Sequence, residues 1–224
     1  MDEQYFIGVD VGSASVRAAV FNKVGQRLGF SVRAIQQFRP KTAYVEQSSA
    51  DIWSQVCQTV REAVQLSEVN PGDVKSIGFD ATCSLVAVGN QHAPISVSPK
   101  ASPAQDIIMW MDHRAHQETI TINLTDDPSL GYIGGEVSIE MELPKILWLK
   151  NNYPERYKQV WRFFDLADFL VWKATQTDVA SVCTLTCKWN YLAHKNQFSE
   201  SLLADVGLDD LLSKIPGTIL QLGE

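Results

Sequence analysis

The chain has 224 residues, 45% of them hydrophobic, enough for a substantial core in one large domain or two small ones. A formal charge of −7 without any basic run argues against nucleic acid as a partner. The N-terminus is acidic, Asp10 interrupts its apolar stretch, and no segment approaches the roughly 18 apolar residues of a membrane span, so a soluble cytoplasmic protein is expected.

Tyr5 to Phe21 reads as two hydrophobic strands joined by a tight polar turn of about five residues. Asp10 closes the first strand beside Gly12, Ser13 and Ser15. Such a turn can cradle phosphate through backbone N–H groups and hydroxyls. It is neither a GxGxxG fingerprint nor a Walker loop. Asp10 would repel phosphate unless a divalent cation or Arg17 compensated. From this stretch alone, an ordinary hairpin with an Asp/Ser turn explains these residues somewhat better than a nucleotide site. Residues 26–35 add a third strand. Ser48, with Asp51 three residues on, opens a helical pattern over about 49–67 carrying Ile52, Val56, Val60 and Ala63.

Asn70-Pro71-Gly72-Asp73 is a turn, and Val74–Phe79 a short buried strand. The polar stretch Asp80–Ser84 then separates it from a second run, Leu85–Val88. Asp80 suits either a turn or a cleft wall. The prolines of 90–105 mark an irregular loop. Ile107–Met111 reads as a strand running into Asp112-His113-Arg114, with a helix over about 113–123. His113 suits a surface as readily as a site. After Gly134-Gly135, Ser138 is expected to cap a helix through Leu149; Pro144 lies inside that pattern, tolerated in a first turn but kinking the helix further in. Glu140 and Glu142 ahead of Lys145 and Lys150 complement its dipole. A short helix 154–159, a strand 160–163, and a helix capped by Asp165 follow. Lys188, among aromatics and cysteines, suits either an anchor for a hydroxyl-rich or anionic ligand or a lysine with its stem on an apolar surface. Helices over 198–204 and 208–213 complete the pattern. Cys57, Cys83, Cys183 and Cys187 lack zinc-site spacing and read as structural free thiols.

Three strands, a long helix and two further strands in this order resemble the actin/hexokinase/RNase-H-like α/β fold, with a mixed five-stranded sheet and flanking helices. The motifs resemble those of the FGGY carbohydrate kinases, N-terminal domain, in the ribulokinase-like pentulose kinase subgroup. Gly8–Arg17 matches GxDxGTxSxR, with Ser13 for the usual Thr. Gly78–Ser84, Trp110–Ala115, Gly134–Lys145, Phe164–Leu170 and Thr184–Trp189 resemble the later sugar-side segments, so the likeness spans residues 1–224. It implies ATP-dependent phosphorylation of a pentulose, most of all D-ribulose. Asp80, Ala81, Trp110, Asp112, Arg114, Glu140 and Lys188 would form the sugar site. Gly12, Ser13, Ser15 and Arg17 would face the ATP phosphates, and Asp10 would organise Mg²⁺. It further implies that the catalytic base lies beyond Glu224, in or near a second, nucleotide-side domain working in cis. The 224 residues alone are therefore expected to be inactive, while the full-length enzyme is compatible with a homodimer. A non-catalytic sugar-binding or regulatory module is the alternative. The sugar-side segments argue against a phosphatase or ATPase of the same superfamily.

Overall fold

The computed structural model describes residues 4–223, and these divide into two compact units. The first unit takes the chain through Gln37 and then Ser48–Thr82; the second takes Phe38–Gln47 and the chain from Cys83 onward.

In the first unit, β1 (Tyr5–Val11) and β2 (Ser15–Asn22) form the expected hairpin, closed by only three residues. The strand β3 (Arg27–Ala34) pairs antiparallel on the far side of β2. Ile7, Val9 and Val11 are buried on one face of β1, and Gly8 and Asp10 take the other, as period-2 alternation requires.

The helix α1 (Ser49–Ser67) starts where its capping residue demands: Ser48 Oγ accepts from Asp51 N at 3.2 Å. Its buried stripe is Ile52, Val56, Thr59 and Ala63. Gly29 lets the helix approach β3 closely, since a Cβ there would lie 2.1 Å from Ala63 O.

The two-residue strand β4 (Glu46–Gln47) belongs to the second unit. The chain returns to the first sheet as β5 (Val74–Ala81), parallel to β1. The first sheet thus has the order β3-β2-β1-β5. It contains four strands among the described residues, where five were expected. The fifth candidate, β6 (Leu85–Gly89), follows the polar Thr82–Ser84 break and pairs elsewhere.

The second unit contains the remaining elements: β7 (Ile107–Ile108), α2 (His116–Asn123), α3 (Glu142–Asn152), α4 (Pro154–Gln159), β8 (Val160–Asp165), α5 (Leu166–Thr175), β9 (Val179–Ser181), α6 (Val182–Lys188), α7 (Glu200–Asp205) and β10 (Thr218–Leu220). Its main sheet has the antiparallel order β4-β7-β6-β8; β9 and β10 form a small parallel pair. A large apolar core includes Leu85, Ile108, Leu143, Ile146, Phe163 and Trp189.

Ser138 does not cap α3. It closes a turn instead, accepting from Glu140 N on Oγ and from Met141 N on its carbonyl. The helix begins at Glu142, so Pro144 falls in the first turn, where its missing N–H costs nothing. Asp165 does cap α5, accepting from Ala167 N. Among the described residues no helix is long and apolar enough to cross a membrane.

Candidate functional site

The first unit gathers Asp10, Gly12, Ser13, Ser15, Arg17, Asp80 and Ala81 at one end of its sheet. Asp10 stands opposite Arg17 across the hairpin, and Arg17 Nη1 donates to Asp10 Oδ2 at 2.7 Å. Both side chains are about half exposed. On the other side of β1, Asp10 is in register with Asp80 of β5, as Val11 is with Ala81. Two carboxylates therefore end adjacent parallel strands, with one guanidinium to offset them.

Gly12 N donates to Ser15 O at 3.0 Å, so that amide is committed to closing the turn. Gln37 Nε2 donates to Ser13 O at 2.6 Å and pins the turn from outside. Asp10, Arg17 and Asp80 also border a cavity of about 500 Å³ on the sheet face, floored by Ala19, Phe21 and Phe30.

The second unit contains Trp110, Asp112, Arg114, Glu140 and Lys188, in different surroundings. Asp112 and Arg114 are buried, with no side-chain surface exposed. Arg114 donates Nε to Asp112 Oδ1 at 2.9 Å and Nη2 to Oδ2 at 2.7 Å. It also reaches Glu46 Oε1 at 2.7 Å and Val97 O at 2.9 Å. Its guanidinium lies over the rings of Tyr44 and Trp148. The remaining acceptor directions of Asp112 take the Val45 and Arg114 backbone amides. As placed, neither side chain presents an atom to a ligand. Together they brace the Trp110–Arg114 turn, whose Trp110 N is held by Ser84 Oγ. Burial raises the Glu46 carboxyl against the opposing pull of Arg114.

Glu140 lies just outside α3, and its Oε1 is 3.3 Å from His113 Nε2. At the start of α3, Glu142 and Lys145 form a wholly buried pair, Nζ 3.3 Å from Oε1. Burial lifts Glu142 to about 7, with Lys145 and then Lys188 opposing. Lys188 also acts on the Cys83 thiol, which burial pushes up to about 12. The Asp165 carboxyl is held well above its ordinary range by burial and by Glu142 and Asp168. Lys188 at the end of α6 thus belongs with an acid-rich, largely dry group formed by α3, α5 and α6. Of this group the sequence reading placed only Lys188 in the site. Glu142, Lys145 and Asp165 fell within segments resembling the sugar side but were read individually only as helix-end residues, and Glu46 carried no signal. Among the described residues no cluster of three or more His, Cys, Asp or Glu side chains is placed to hold a metal.

The mixed sheet with flanking helices is of the actin/hexokinase class. The gluconate kinase of Lactobacillus acidophilus shares it with a TM-score of 0.80 at 16% identity, over 98% of this chain and 42% of that one. Residues 5–221 match the N-terminal domain of the FGGY family of carbohydrate kinases, and the chain belongs to that family. It is 42% identical to the human FGGY carbohydrate kinase domain-containing protein over 99% of its own length and 40% of that protein's. It is also 42% identical to the D-ribulokinase of Saccharomyces cerevisiae, over 94% of this chain and 30% of that one. The chain therefore spans well under half the length of these relatives.

Proposed function

We propose that the protein transfers a phosphoryl group from ATP to a hydroxyl of a pentulose, D-ribulose before others. The similarity to the yeast D-ribulokinase along 94% of this chain carries the proposal. In this reading residues 1–224 are the sugar-side domain and need a nucleotide-side domain to act. Alone they transfer no phosphate, and the general base is assigned to none of them. ATP as the donor fits a cytoplasmic place of work.

The strand ends of the first unit fit Mg²⁺ and phosphate. Magnesium takes one or two carboxylates and completes its shell with water and phosphate oxygens. Asp10, beside Asp80 and still about half exposed despite its Arg17 contact, meets that requirement. When bound, Mg·ATP supplies the transferable group and neutralises its charge. Arg17 orients Asp10, and Gly12, Ser13 and Ser15 line the phosphate side. In the first unit Asp80 is assigned to sugar hydroxyls and Ala81 to limiting bulk; in the second, Lys188, Trp110 and Glu140 are assigned to sugar contacts. Asp112 and Arg114 serve by holding the Trp110 turn.

The test uses the protein expressed from its complete reading frame. Asp80→Asn and Lys188→Met are each expected to raise KM for D-ribulose about tenfold or more, the scale of one lost charged hydrogen bond. Wild-type KM in both variants removes these two contacts.

A further inference from the structure

The seven-residue helix α6 carries Lys188 in its last turn. Leu185 and Trp189, both buried, anchor it to the core. Apolar contact is non-directional, so it leaves the rotation of so short a helix loosely specified.

A directional constraint comes from α5. Asp168, only 5% exposed, accepts from Ser181 N at 3.0 Å on Oδ1 and from Thr184 Oγ1 at 2.6 Å on Oδ2. One carboxylate thus grips the capping residue of α6 and a side chain in its first turn. Thr184 and Lys188 are four residues apart and share one helix face. Fixing Thr184 therefore fixes the direction in which Lys188 leaves the helix.

We propose that Asp168 is a positioning residue for sugar binding, acting on Lys188 through Thr184. The proposal rests on the assignment of Lys188 to the sugar. The hydrogen bonds from Thr184 and Ser181 favour the carboxylate, whereas burial raises it to about 6. Asp165, which caps α5, and Cys183 on α6 are the titratable groups that its charge raises.

The experiment compares Lys188→Met, Thr184→Val, Thr184→Ser and Asp168→Asn in the protein expressed from its complete reading frame. KM for D-ribulose, KM for ATP and kcat are measured for each. Thr184→Val and Asp168→Asn are expected to raise sugar KM about 3- to 10-fold, with kcat and ATP KM within about twofold, the size of one weakened polar contact. Thr184→Ser keeps the hydroxyl and is expected to match wild type. If Lys188→Met raises sugar KM but Thr184→Val does not, positioning by Asp168 is wrong and the role of Lys188 stands. If Lys188→Met leaves sugar KM unchanged, both fall. Equal movement of all three parameters in Thr184→Val, without recovery in Thr184→Ser, marks a general structural role and overturns the proposal.

Discussion

Arg114 grips Asp112 through both carboxylate oxygens, at 2.9 and 2.7 Å, and takes Glu46 with a shared nitrogen at 2.7 Å. The triad is buried, so its members cannot be removed singly without leaving charge in the core. Arg114→Met is expected to cost about 3–5 kcal/mol of unfolding free energy, the range for breaking a buried ion pair. Urea denaturation measures it. A loss under about 1 kcal/mol would show that solvent or a neighbour replaces the guanidinium.

The ion pair at the phosphate-side turn behaves oppositely. Asp10 and Arg17 are about half exposed, so their pairing adds about 0–1 kcal/mol to stability. Asp10→Asn is expected to leave the melting temperature nearly unchanged while lowering kcat by about 100-fold or more, since it removes charge at the proposed Mg²⁺ position. A stable variant with wild-type kcat would remove Asp10 from that role.

Close approach of α1 to β3 depends on Gly29. A methyl group there meets Ala63 O at 2.1 Å, against helix backbone that cannot rotate away. Gly29→Ala is expected to destabilise by about 1–3 kcal/mol or more, as overpacking does. Thermal melting checks it, and an unchanged melting temperature would mean that α1 packs less tightly than described.

Stability should fall as pH rises through neutrality. Burial raises Asp168 to about 6 and Glu142 to about 7, and holds Asp165 well above its ordinary range. A carboxyl raised on folding binds its proton more tightly in the native state. Its contribution is complete below the unfolded value and is lost as pH rises through the folded one. The melting temperature is therefore expected to drop between about pH 5 and about pH 7. Asp165→Asn keeps an N-capping side chain without the titration, so its profile should be flatter and lie above wild type at the alkaline end. A wild-type profile rising with pH would contradict this.

Local chemistry made much of the fold legible. The 49–67 helix followed from its Ser48 cap and its 3.6-residue stripe, and the first hairpin from alternation around a polar turn. Asp10 and Asp80 were each visible at strand ends, but only β1–β5 pairing made them neighbours. The burial of Asp112 and Arg114 was not legible. It depends on Glu46, 68 residues from Arg114 in sequence, and on two aromatic rings. The same holds for Asp168, whose partner Thr184 lies on another helix. Ser138 failed as a cap: α3 starts only at Glu142, which keeps Pro144 in the first turn, whereas a start after Ser138 would have put it in the helix interior.

The central claim is that this family member acts on a pentulose. Its most direct measurement is ATP-dependent phosphate transfer by the protein expressed from its complete reading frame, across ribulose and xylulose enantiomers, pentitols, hexuloses and glycerol. Transfer is expected, with D-ribulose giving the highest kcat/KM. The absence of transfer to every pentulose, with a folded protein and Mg·ATP present, would contradict it.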